Sequence, residues 1–159
     1  MDRNKPLYAA LGRIPSGLFV VTARQGGQET GLLASWVQQC SFDPPQLTVA
    51  VNRSRPVLDW LVEGTAFAVN VIPEGGKKLV GHFGKGFEAG EAAFDGLDVE
   101  HPAGAAPLLT EAHAWIDCRV AGRFDAGDHA LALGRVVGGR VLHPDAKPTT
   151  HIRKSGTHY

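Results

Sequence analysis

Two small polar clusters bracket one apolar run in this chain. Ser35, Gln38 and Ser41 come before Leu47-Thr48-Val49-Ala50-Val51, and Asn52, Arg53 and Ser54 follow it. Hydroxyls, amides and a guanidinium at the two ends of a strand suit a flat, anionic ligand. They donate hydrogen bonds and supply a cation, but they offer no metal-binding set. Ser54 ahead of Arg55-Pro56 also reads as the N-cap of a helix, and a helix N-terminus attracts anions. A serine there can equally be a cap and nothing more.

Other chemistries lack their residues. The sequence has no GxSxG elbow, no HExxH and no paired CxxC motifs, which removes the usual hydrolase and zinc signatures. Its 7 histidines never fall at the i, i+4 spacing that puts two ligands on one helix face. Gly84-Lys85-Gly86 lacks the rest of a P-loop, and no GxGxxG follows a strand. What remains is a bound cofactor that carries the chemistry itself.

The elements that must position these groups are short. Leu18–Ala23 reads as a strand, and Gly26-Gly27 turns it into a second strand at Thr30–Ser35. Leu47–Asn52, Ala66–Ile72 and Ala114–Val120 alternate as half-buried strands do. Asp125-Ala126-Gly127-Asp128 is a turn leading into a long ribbon, His129–Leu142, broken at Gly138-Gly139. His151–Lys154 reads as a closing strand. Helices are expected at Lys5–Gly12, with Leu7, Tyr8 and Leu11 on one stripe, at Arg55–Glu63 and at Lys77–Phe83. Phe87–Ala106 reads as a long surface excursion. With 20 glycines and 10 prolines, many strands and few helices, the pattern predicts an all-β, antiparallel barrel in one domain, residues 1–159.

Bulk properties narrow the class. A length of 159 residues allows a single core that buries about two-thirds of the unfolded surface. The 16 basic and 16 acidic residues balance, so no field draws the chain to nucleic acid or to a membrane surface. No apolar run approaches the roughly 20 residues of a membrane span. Met1 to Pro6 pass into the first helix without a signal core, so a cytoplasmic location is expected. Cys40 and Cys118 lie in apolar surroundings and read as buried thiols.

The order of motifs resembles the flavin-reductase-like family of FMN-binding split barrels. It runs Ile14-Pro15-Ser16-Gly17, a VVT strand, Ala34-Ser35-Trp36, Ser41-Phe42-Asp43-Pro44-Pro45 and the LTVAV strand. Phe67-Ala68-Val69-Asn70-Val71, His82-Phe83, Phe94, Pro107-Leu108, Cys118, Gly127-Asp128-His129 and Gly156–Tyr159 follow. Within that family, Ala34–Phe42 and Lys77–Phe87 are most similar to the flavin reductase domain of diflavin flavoproteins.

The resemblance implies a Greek-key FMN-binding split barrel, a homodimer, and NADH- or NADPH-dependent reduction of FMN. Electrons would pass to a partner oxygenase or another redox protein. FAD is the second cofactor to consider, although the short tail-binding region favours FMN. By the same resemblance Ser35, Trp36, Val37 and Gln38 line the flavin, with Ser41 close by. Asn52, Arg53 and Ser54 follow its ribityl-phosphate tail, Phe83 and Lys85 flank it, and His129 lies at the reactive edge or the nicotinamide. Trp36 stands where many family members have a second small residue, so it can stack on the ring or narrow the donor site.

Plainer roles stay open: Trp36 as a barrel-end plug, His129 as a pin for its turn, Arg53 as a solvated arginine, Tyr159 as a dimer contact. Two other functions also fit the sequence. One is an FMN electron-transfer module reduced by a protein partner. The other is a binding protein that kept the barrel and lost the cofactor.

Overall fold

A computed structural model describes residues 5–88 and 90–159. Met1 to Asn4, the lead-in to the first helix, and Ala89, within the Phe87–Ala106 segment, lie outside the described residues.

The expected antiparallel β architecture is present. Strands β2 (Phe19–Gln25) and β3 (Gln28–Ala34) form a hairpin through Gly26-Gly27, both at positive φ (56° and 81°), a turn whose twist matches that of the strands. β4 (Val37–Phe42) and β5 (Pro45–Asn52) form a second hairpin across a cis Asp43–Pro44 bond. β6 (Ala66–Val71), β9 (Ala114–Ala126) and β10 (His129–Val141) complete a seven-stranded sheet in the order β3-β2-β6-β9-β10-β5-β4. The sheet curls until β3 meets β5, and the Ala50 amide donates to the Trp36 carbonyl at 3.0 Å. Ser35 and Trp36 therefore sit on the seam. Short pairs β1 (Ser16–Gly17) with β11 (Thr150–His151), and β7 (Val99–Glu100) with β8 (Leu108–Leu109), trim the edges.

Alternation fills the barrel as the sequence requires. Leu47, Val49 and Val51 point inward from β5 and meet Val21, Phe67, Val69, Cys118 and Val120. A second apolar cluster, Val20, Ile72, Leu79, Phe83 and Leu109, lies outside the barrel under α2 (Lys77–Gly84). Asn70 is fully buried between the two layers. Its Oδ1 accepts from the Leu109 amide at 2.9 Å and its Nδ2 donates to the Val20 carbonyl at 3.2 Å.

Several expectations are corrected. The helix predicted at Arg55–Glu63 is a 3₁₀ turn, Pro56–Trp60. Pro56 disfavours the α region for the residue before it, and Arg55 is extended (φ −81°, ψ 126°); its guanidinium only donates, so its side chain caps no amide. Ser54 caps nothing either: its amide and hydroxyl donate to Asn52 Oδ1 at 2.9 and 2.8 Å. Helix α1 (Lys5–Leu11) buries no residue, and Leu7 is 54% exposed; it is held instead by Gly156 and Arg153. The ribbon β10 runs through Gly138-Gly139, absorbing an extra residue near Val137 as a bulge. The closing strand is only Thr150–His151. The described residues of Phe87–Ala106 lie mostly on the surface as expected, and Phe87, Phe94, Leu97 and Val99 are half-buried against the outer cluster.

Cys118 is buried as expected, but Cys40 is exposed. The register between β4 and β5 shifts from Gln39 to Ser41, leaving Cys40 as the unpaired residue on an edge strand.

Candidate functional site

The seam opens into a cavity of about 320 Å³. Leu32, Leu33 and Ser35 from the end of β3 form one wall, and Val80, Phe83 and Gly84 from α2 form the other, with Leu18, His151 and Tyr159 closing the sides. Arg55 and Gly86 complete the lining. A narrow cleft continues from it along Ala34, Ala50, Val51 and Asn52. A larger hollow, about 470 Å³, lies elsewhere, over Leu47, Trp115, Ile116 and Val136. That hollow is an almost wholly apolar groove with few groups able to fix a ligand's orientation, so the seam cavity is the better candidate.

Two glycines shape the seam cavity. A Cβ on Gly31 would come within 2.7 Å of the Phe83 ring, so glycine lets Phe83 rest on β3. Gly86 has φ +79°, and a Cβ there would approach Arg55 Nη1 to 2.7 Å. The Arg55 guanidinium therefore rests against the loop after α2 at the cavity wall. It forms no ion pair among the described residues.

The residues singled out from sequence divide into two groups. Ser35, 3% exposed, and Phe83 line the cavity, and Asn52 lines the cleft. Lys85 lies between the lining residues Gly84 and Gly86, with its Nζ 5.2 Å from the Phe87 ring centre. Val37 pairs with Val49 and packs on the core. Gln38 is exposed and bonds to the Gln39 carbonyl at 3.2 Å; Ser41 is half-buried beside the bulge. Arg53 points away to Asp125 at 2.8 Å, its amide spent on the Asp128 carbonyl at 3.0 Å. Ser54 is exposed and bonded to Asn52. The amides of residues 53 to 55 are thus all used, that of Arg53 on Asp128 and those of Ser54 and Arg55 on Asn52.

Beside the cavity mouth, Trp36 is the hub of a polar–aromatic cluster. Its ring centre lies 4.9 Å from that of His129 and 5.1 Å from that of Tyr159, and the Arg153 guanidinium carbon is 5.1 Å from its face. The turn between β9 and β10 places His129, 9% exposed, in this cluster. His129 Nδ1 is 2.6 Å from Asp128 Oδ1, and Nε2 is hydrogen-bonded to the Tyr159 hydroxyl. With Nδ1–H donating to the carboxylate, Nε2 accepts the phenol proton. The hydrogen bond from His129, and then its charge, hold the Asp128 carboxyl below its ordinary 3.8. Burial pushes the Tyr159 phenol above its ordinary 10.0, with the Asp128 charge in support and the Arg55 and Arg153 charges opposing.

Sequence reasoning passed over Arg55, Arg153 and His151, and read Tyr159 only as a contact. The signal for Arg55 was the proline after it, which takes its backbone out of the helix and lets its side chain reach the cavity.

The arrangement can hold a planar ring between apolar walls, with a hydroxyl at the seam and a cation at one end. Among the described residues there is no metal-capable cluster of three or more side chains. No helix among them is long and apolar enough to cross a membrane.

Comparisons with known proteins agree with this geometry. The profile of the flavin reductase like domain matches residues 11–157. Diflavin flavoprotein A 1 of a Synechocystis species is 38% identical over 157 residues, which is 98% of this chain and 27% of that protein. The chain thus spans about a quarter of the length of that relative. Among solved structures, the Streptomyces globisporus NADH:FAD oxidoreductase SgcE6 superposes with a TM-score of 0.83 at 27% identity, over 93% of this chain and 86% of its own. The styrene monooxygenase flavin reductase of Pseudomonas putida S12, 24% identical with a TM-score of 0.75 over 91% and 90% of the two chains, shares the fold. A barrel with its cavity at the seam, matched almost end to end by that profile, makes this chain a member of the flavin reductase like domain family.

Proposed function

We propose that the chain is an NAD(P)H-dependent flavin reductase domain whose flavin, FMN in preference to FAD, lies in the seam cavity. The observation that carries this reading is Arg55: an arginine without an ion pair among the described residues, resting on Gly86 at the wall of a slot whose two main faces are apolar. That combination fits a flat ring with an anionic tail. When bound, a flavin accepts hydride from a nicotinamide and passes the electrons on singly or in pairs.

The chain's own residues bind and orient. Leu32, Leu33, Val80 and Phe83 exclude water from the ring, and the Ser35 hydroxyl hydrogen-bonds its polar edge. Arg55 holds the phosphate, with Lys85 adding charge at the loop. His129, kept in one tautomer by Asp128, marks the side from which the donor approaches. No side chain acts as a nucleophile. The domain works in the cytoplasm as a homodimer, with the apolar groove near Ile116 and Val136 covered by a second copy. A gel-filtration mass of one chain would remove the dimer.

A second reading is favoured by the crowding of Trp36, His129 and Tyr159 at the mouth: an FMN module reduced by a protein partner. Equilibrium uptake of FMN, followed by quenching of flavin fluorescence, tests the cavity. Steady-state oxidation of NADH and NADPH by the FMN-loaded protein then separates the readings. Turnover supports the reductase; tight FMN without turnover supports the electron carrier; no FMN uptake removes both.

A further inference from the structure

Tyr159 reaches the site from a segment that the sheet does not hold. After β11 there is no further strand, and Arg153 and Gly156 are the anchors. The Arg153 guanidinium donates to the Leu11 carbonyl at 3.0 Å, and the Gly156 amide donates to the Tyr8 carbonyl at 2.7 Å. A Cβ on Gly156 would come within 2.6 Å of Leu11 Cβ, so this point is pinned to α1 by close packing. Beyond it, Thr157 and His158 are exposed, and their side chains bond only locally, among Ser155, Thr157 and His158. The phenol then folds back over the cavity and the cleft, lining both. Its ties there are the His129 hydrogen bond and its contact with Trp36.

The phenol therefore lies where a planar ring would have to lie to meet both His129 and the cavity. We propose that Tyr159 is a displaceable plug, occupying the nicotinamide's place beside His129 until the donor drives it out. The proposal rests on the flavin and nicotinamide reading above and adds its regulation. Residues 157–159 swing about Gly156; the donor ring replaces the phenol against Trp36, and His129 Nε2 is released from the Tyr159 hydroxyl. Because plug and donor compete for one place, the phenol lowers donor affinity. Trp36, with the Arg153 guanidinium over its ring, stays as the fixed wall.

The test uses the FMN-loaded full chain, with NAD⁺ as the probe and isothermal titration as the readout. Tyr159→Ala is expected to bind NAD⁺ about tenfold more tightly than the wild type. Tyr159→Phe, which keeps the ring and loses the His129 bond, is expected to gain about threefold or less. Because Tyr159 also lines the flavin cavity, all three proteins are titrated at saturating FMN, so that only donor binding is read. In the wild type, hydrogen exchange at residues 157–159 should speed up on NAD⁺ saturation, because the segment is expelled. Equal or weaker NAD⁺ binding by Tyr159→Ala, or slower exchange in the tail, would show a wall that holds the donor and overturn the plug alone. Failure of the wild type to take up FMN would overturn the underlying flavin reading, and the plug with it.

Discussion

Replacing Arg55 with alanine gives the sharpest test of the cavity. The guanidinium has no ion pair among the described residues and rests on Gly86, so its removal breaks no salt bridge and leaves no carboxylate unpaired. What is lost is its hold on an incoming phosphate. Charge-assisted hydrogen bonds are worth about 1.5–3 kcal/mol each. Arg55 is half-buried, so water screens the pair in part and the whole loss should fall in that same range. At about 1.4 kcal/mol per decade, FMN should bind roughly 10- to 150-fold more weakly. Riboflavin, which lacks the phosphate, should bind almost unchanged.

Arg53→Ala is the control. Its exposed pair with Asp125, with side chains 47% and 65% exposed, is of the kind worth about 0–1 kcal/mol, and it lies off the cavity. FMN affinity should change less than about threefold. Fluorescence titrations with both flavins read these differences directly. A larger loss in Arg53→Ala than in Arg55→Ala, or equal losses of FMN and riboflavin, would refute the placement of the phosphate.

Two further outcomes follow from buried groups. Asn70→Leu removes the acceptor of the Leu109 amide inside the core, and a buried donor left unpaired costs about 1–3 kcal/mol, so chemical denaturation should show a loss of that size with FMN site residues intact; a loss below about 0.5 kcal/mol would mean that water replaces the amide. Burial, with the Asp117 charge in support, pushes the Cys118 thiol from 9.0 up to about 12 against the weaker pull of Arg119. The unfolded chain therefore sheds this proton first, and stability should fall as pH rises from about 9 toward 12. At pH 8 iodoacetamide should label Cys40 and spare Cys118 until the chain is unfolded, and mass spectrometry of the peptides checks this.

Much of the barrel was legible because its signals are local. The alternation in Leu47–Asn52, the Gly26-Gly27 turn and the Asp-Ala-Gly-Asp turn each determine their own geometry. Ser35, Asn52 and Phe83 reach the site because they sit at a seam, a strand end and a helix end, positions that the motif order marks. The misread elements depended on distant partners. Arg53 and Arg55 are two residues apart, and only the extended backbone ahead of Pro56 decides which one faces the cavity. Cys40 is turned outward by a bulge that no periodicity announces. Phe87, Phe94, Leu97 and Val99 follow no regular alternation, so no periodicity marks them as the residues that hold this surface stretch against the outer cluster. Tyr159 reaches His129 from 30 positions away, a contact set by the path of the chain over α1 rather than by any local pattern.

The most direct measurement is the visible absorption spectrum of the FMN-loaded protein before and after anaerobic addition of NADH or NADPH. In a reductase, the flavin bands should be shifted from those of free FMN, bleached by one of the two nicotinamides, and bleached faster in Tyr159→Ala. Bound flavin that stays oxidised with both nicotinamides, in the wild type and the variant alike, would contradict the reductase reading.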